Sequence, residues 1–184
     1  MTTVNYFALI HKYIAPDSKT YALYLPHVAS VTAKAVRLGG RLGLDAEQVR
    51  FIEEAAMLHD IGIVGIRSEW LGCTGTLPYI CHLTEGRRIL EAEGLPRHAR
   101  VAACHVGLGL TREEILAQAL PLPPEDFLPQ TIEEQIISWA DLFFSKIPER
   151  AWQEKSIEEV RQHVVRYGER QCRLFEEWLA RFGE

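Results

Sequence analysis

Disulfide chemistry, a basic face and a membrane span are all missing from this 184-residue chain. Its four cysteines, Cys73, Cys81, Cys104 and Cys172, show no C-x-x-C spacing. Neither a disulfide framework nor a zinc–thiolate module is therefore expected, and reduced thiols in the cytoplasm are. Lys and Arg number 20 against 25 Asp and Glu, a formal charge of −5 with the seven histidines neutral. That balance argues against a broad face for duplex nucleic acid, which leans on phosphate neutralisation, while leaving room for a local basic pocket. The longest stretch without acids or bases, Trp70 to Gly86 interrupted by Glu85, holds Gly, Pro, Thr and His. It is too short and broken to cross a bilayer. Met1 to Ile14 has no basic segment followed by a long apolar run, so no signal peptide is read there. Alternating strand patterns are absent too.

What remains is helical. With 47% apolar and 24% charged residues, the chain reads as one all-α globular domain over residues 1–184 with a core needing no cross-links. Pro26 suits a first helical turn, with Val28, Val31, Ala35, Leu38 and Leu42 following at helical steps and Gly43 as a stop. Asp45 with Gln48 caps a second helix carrying Val49, Ile52, Ala56 and His59 on one face and ending at Gly62. A short helix spans Arg87 to Glu93, and Pro96 opens another running to His105. Three capping boxes come next, Thr111–Glu114, Thr131–Glu134 and Ser156–Glu159. The second opens a helix carrying Ile136, Ala140, Phe143 and Ile147. The third opens a long terminal helix over 156–182, whose aromatic stripe is core or a homodimer seam. The segments Val64–Ile80 and Leu120–Gln130 read as loops.

The chemistry gathers around Leu58-His59-Asp60-Ile61-Gly62. Adjacent helical residues diverge by about 100°, so His59 and Asp60 meet one ligand only where the helix loosens, which Gly62 allows. A charge buried there needs a partner, and a metal ion is one. His27, His82, His105 and Asp141 are further candidate ligands; Asp141 is a lone carboxylate inside the apolar run Ile136–Phe144. Four imidazoles and two carboxylates suffice for two ions sharing one bridging carboxylate, as hydrolytic metal chemistry uses. A buried His59–Asp60 pair without metal is the competing reading. His11, His98 and His163 are assigned no special role, and Cys81 and Cys104 read as small buried hydrophobes. Trp70 and Tyr79, before His82, either stack on a base or pack as core or lid.

His27, His59-Asp60 and Asp141, in that order on successive helices, resemble the HD superfamily of metal-dependent phosphohydrolases. Residues 59–62 read HDIG, and His82 and His105 fall where the two-metal subset places added histidines. The resemblance runs from about residue 20 to 147. The stretches His105–Glu114 and Leu122–Thr131 look like an HDIG branch of bacteria and archaea. It implies a helical HD-domain bundle in which His27, His59, Asp60, His82, His105 and Asp141 hold two divalent ions (Fe, Mn, Co or Zn). His59 and Asp60 are then catalytic, and a metal-activated hydroxide attacks a phosphoester or phosphoanhydride of a small substrate, nucleotide-type by likeness to HD enzymes cleaving diadenosine tetraphosphate. Many HD hydrolases carry a basic residue directly after the HDIG glycine; here it is Ile63, leaving Arg67, Arg87 or Arg88 as candidate phosphate contacts. The GYP signature of cyclic-dinucleotide phosphodiesterases is absent. An HD-fold mixed-valent di-iron oxygenase and a non-catalytic HD sensor module are the alternatives. No duplex nucleic acid and no membrane are expected as partners.

Overall fold

The structure is a computed structural model that describes residues 3–147 and 150–183. Met1, Thr2 and Glu184, at the ends of the expected 1–184 domain, lie outside the described residues, as do Pro148 and Glu149. Among the described residues there are nine α-helices and one two-stranded hairpin. They run α1 (Tyr6–Tyr13), α2 (Lys19–Arg41), α3 (Ala46–Leu58), β1 (Arg67–Ser68), β2 (Cys73–Thr74), α4 (His82–Ala92), α5 (Pro96–Cys104), α6 (Arg112–Ala117), α7 (Ile132–Asp141), α8 (Ile157–Val164) and α9 (Glu169–Phe182). No helix among them is long and apolar enough to cross a membrane.

Caps account for most starts. Capping boxes open α3 from Asp45, α6 from Thr111, α7 from Thr131 and α8 from Ser156, each satisfying amide donors that a helix end would leave orphaned. Gly43 at φ +71° ends the turn after α2.

Four expectations are corrected. Ser18, accepting from the Tyr21 amide, starts α2 two turns before Pro26. The proline thus sits in the helix interior, where its missing donor is tolerated because Tyr24, Val28, Val31 and Leu38 bury one face. The helix after Thr131 stops at Asp141, short of Phe143 and Ile147. The single terminal helix is two, broken after a 3₁₀ turn at Gly168, whose φ of +98° suits only glycine. The segment expected as a loop from Val64 also carries the hairpin, with Arg67 opposite Thr74 and Ser68 opposite Cys73.

Two main cores result. One packs Val31, Leu38, Ile52, Ile136 and Trp139 against Phe175 and Phe182, so the aromatic stripe of α9 is core within this chain. The other gathers Ile10, Tyr24, Val28, Leu58, Ile61 and Leu90. α2, α3 and α5 contribute to both, and the histidines lie where they meet.

Candidate metal centre

The six residues singled out as ligands come to one place, and helix ends bring five of them there. His27 projects from the middle of α2. His59 caps α3 and Asp60 leads into a 3₁₀ turn over Ile61–Gly65. His82 is the first residue of α4, His105 caps α5, and Asp141 is the last residue of α7. Gly62 matters here through closeness rather than helix loosening: a Cβ on it would overlap the His82 carbonyl and the backbone of Gly86. Only glycine lets α4 approach the 3₁₀ turn closely enough to set His82 beside Asp60.

Asp60 divides the cluster. Its Oδ2 lies 3.2 Å from His27 Nε2 and 3.5 Å from His59 Nε2. Its Oδ1 lies 3.5 Å from His82 Nε2 and 3.4 Å from His105 Nε2. Asp141 Oδ1 joins the first group, 3.1 Å from His27 and 3.6 Å from His59. Two sets, His27–His59–Asp141 and His59–Asp60–His105, bring one ligand atom per residue within 4.8 Å of one another.

These donors fit a divalent ion. Nδ1 of His59, His82 and His105 faces the carbonyl three residues earlier, of Ala56, Tyr79 and Ala102, at 2.6, 2.6 and 3.0 Å. A carbonyl only accepts, so Nδ1 carries the proton and Nε2 offers its lone pair inward, the arrangement metal-binding histidines adopt. His59 Nε2, both His27 nitrogens and both Asp60 oxygens are buried without an aligned hydrogen bond. Buried polar atoms are rarely left so, and a cluster of such orphans calls for a cation.

Burial pushes the His82 imidazole down to about 3 and the His105 imidazole below its ordinary value, so both are neutral ligands near pH 7. Burial also acts against a charged His59, but Asp60 and then Asp141 outweigh it and raise its pKa. For Asp60, burial opposes ionisation, yet Lys146 and then His59 hold it well below the usual carboxylate range. Asp141 is likewise held low against its burial, by His27, His59 and Lys146.

Lys146 is the residue that the sequence analysis missed. Its Nζ lies 2.7 Å from Asp60 Oδ2 and its side chain is only 13% exposed. Burial disfavours its charge, but Asp60, Tyr79 and Asp141 raise its pKa. Nothing in the spacing pointed to it, because it lies past the end of α7 in a non-helical turn. The three candidate arginines are not brought to the centre. Arg67 is exposed on β1, Arg87 pairs with Glu125 at 2.6 Å, and Arg88 forms a two-pronged pair with Glu85. Tyr79 does border the site, its ring 5.0 Å from that of His82, whereas Trp70 is exposed. His98 is buried against Phe51 and beside Glu54, and Cys81 and Cys104 are buried. A cavity of about 230 Å³ opens over Asp141 and Lys146.

A family model for the HD domain matches residues 24–144. The chain belongs to the HD domain family. Membership accounts for a phosphohydrolase-type fold carrying His and Asp clusters able to hold divalent metal. Among curated proteins, the chain is 34% identical over 138 residues to a tRNA (cytidine(56)-2'-O)-methyltransferase of Thermoplasma volcanium, covering 74% of this chain and 35% of that protein. It is also 34% identical over 120 residues to one of Picrophilus torridus, covering 65% and 30%. An uncharacterized protein of Methanocaldococcus jannaschii is 39% identical over 99 residues, 53% of this chain and 49% of that one. The chain thus spans about a third of the two methyltransferases' length. Among solved structures, the HD domain of the L. monocytogenes phosphodiesterase PgpH superposes with a TM-score of 0.50 at 18% identity, covering 83% of this chain and 79% of that one. That likeness shows the HD fold.

Proposed function

We propose that this protein is a metal-dependent phosphohydrolase acting on a small phosphoester or phosphoanhydride of nucleotide type. One observation carries the reading: Asp60 turns one oxygen to His27 and His59 and the other to His82 and His105. A carboxylate so shared fits two ions, the first held with Asp141, the second by His82 and His105. The mixed nitrogen and oxygen donors suit Fe, Mn, Co or Zn. Ions bound there supply Lewis acidity toward a phosphoryl oxygen and lower the pKa of water to near neutrality.

The chain's own residues do the rest. His82 and His105 stay neutral and aimed inward, because burial disfavours their charge and backbone carbonyls fix their tautomers. Lys146 supplies a cation beside Asp60, where a phosphoryl oxygen would lie. The cavity over Asp141 admits a small substrate, and the formal charge of −5 disfavours duplex nucleic acid. The two relatives named for tRNA methylation match this chain over about a third of their length. Methyl transfer itself is not proposed, since the match covers a minor part of those proteins.

The test is metal analysis of gently purified protein, followed by assay on a phosphoester panel with each metal. Two equivalents of metal, with turnover lost in Asp60→Asn, support the reading. Iron-specific oxygen consumption would point to the oxygenase chemistry of a few HD-fold proteins. Metal-free protein inert toward the panel would leave a non-catalytic module.

A further inference from the structure

The HD match ends at residue 144, yet residues beyond that limit build much of the cavity wall over Asp141. Leu108 and Phe144 form part of an apolar floor, Lys146 lies at the inner end, and Tyr167 and Gln171 stand at the α8–α9 side. A second, larger cleft of about 610 Å³ adjoins it, shares Lys155 and His163 with it, and adds Arg150 and Arg166. Of the acids described there, Glu154 pairs with Lys34 at 2.5 Å, while Glu159, which accepts the Ser156 amide at 2.8 Å, keeps its charge, so Arg150, Lys155 and Arg166 face one uncompensated carboxylate. Lys155 donates to the Leu142 and Phe144 carbonyls at 3.0 and 3.4 Å, which holds its ammonium in place without cancelling its charge. The His163 imidazole is kept below its ordinary value by burial and then by Lys155 and Arg166, so these cations share one space.

We infer that the substrate carries a second anionic group, and that Arg150, Lys155 and Arg166 hold it while the reacting phosphoryl lies against Asp141 and Lys146. The inference rests on the phosphohydrolase reading and narrows it to organic phosphates that are anionic at both ends, of which a nucleoside bisphosphate is the simplest. Guanidinium groups suit that task, since their donors match phosphate oxygens in pairs. Between the two ends, the apolar floor and the exposed Tyr167 ring, its hydroxyl 3.2 Å from His163 Nε2, offer flat surfaces for a base or sugar.

The experiment compares a nucleoside 5′-monophosphate with its 3′,5′-bisphosphate on the metal-loaded protein and on an Arg150→Gln/Arg166→Gln double variant. The expected result is a kcat/KM at least tenfold higher for the bisphosphate, with that ratio falling toward one in the variant, mainly through KM. Equal kcat/KM for the two esters in the wild type, or an unchanged ratio in the variant, overturns the inference. Should neither ester turn over, the phosphohydrolase reading is judged on the wider panel, and calorimetric binding of the two esters decides the cleft separately. Bisphosphate bound at least tenfold tighter by the wild type alone supports it. Equal binding overturns it.

Discussion

The Nε2 atoms of His82 and His105 face each other 3.3 Å apart in a buried site. Both rings direct Nδ1 at a backbone carbonyl, and burial keeps both neutral near pH 7. Two lone pairs therefore confront one another, with Asp60 Oδ1 nearby at 3.5 and 3.4 Å. That contact repels unless a cation lies among the three atoms.

Metal should accordingly stabilise the fold. A ligand present at 100 times its Kd adds about 2.7 kcal/mol, and each kcal/mol moves the midpoint by about 2–4 °C in a chain this long. Chelation should lower Tm by about 5–11 °C on those two figures. His105→Ala should bind one equivalent fewer by elemental analysis and retain part of the shift. An unchanged Tm with and without chelator would contradict the metal centre.

Lys146 competes for the same charge. Its ammonium, 2.7 Å from Asp60 Oδ2, neutralises the carboxylate that an ion would also claim. Lys146→Met leaves buried carboxylates short of a cation, a change that costs about 3–5 kcal/mol when one partner of a buried pair is removed. The metal-free variant should melt well below the wild type, and divalent ions should recover most of the loss while binding more tightly. Calorimetric titration checks the affinity; weaker metal binding in the variant would mean that Lys146 supports the ion rather than competing with it.

Much of this was legible in the sequence because it is local. The four capping boxes need residues only three apart, and His59-Asp60-Ile61-Gly62 stands out at the end of an apolar face. Pro26 misled because its ring tolerates a first turn, while the Ser18 cap and the buried face of α2 carry the helix through it. The division of the terminal helix hung on Gly168 alone, since the apolar period runs on either side of it. Lys146 was illegible for a different reason: α4 to α7 separate it in sequence from Asp60, and their partnership follows no periodic pattern. The arginines nearer to HDIG in sequence were more conspicuous, but Glu85 and Glu125 draw two of them to the surface.

Gly62 offers a steric test. Since a Cβ there would overlap the His82 carbonyl and Gly86, Gly62→Ala must push α4 away from the 3₁₀ turn. Forcing atoms into a close-packed contact typically costs about 1–3 kcal/mol, and the displaced His82 should take the second metal equivalent with it. Urea midpoints and metal content read the two effects separately. A variant with full metal loading would show that His82 reaches Asp60 without the close approach.

Acid stability should depend on a pair remote from the centre. Arg170 grips Glu114 through Nε at 2.9 Å and Nη2 at 2.7 Å and also reaches the Gly109 carbonyl, tying α9 to the cap of α6. Partial burial works against the Glu114 carboxylate, but the Arg170 pair and the Thr111 amide overcome it and hold its pKa below the ordinary 4.5. A carboxyl depressed in the folded state stabilises the protein fully above its unfolded pKa, and the contribution fades as pH falls through the folded value. Glu114→Gln should therefore have a lower urea midpoint than the wild type at pH 7. The two midpoints should draw together as pH drops below 4.5, where the wild-type carboxyl begins to take up its proton. A gap that stays constant down to about pH 3, past the window in which such a carboxyl titrates, would place the loss in the altered cap geometry instead of the charge.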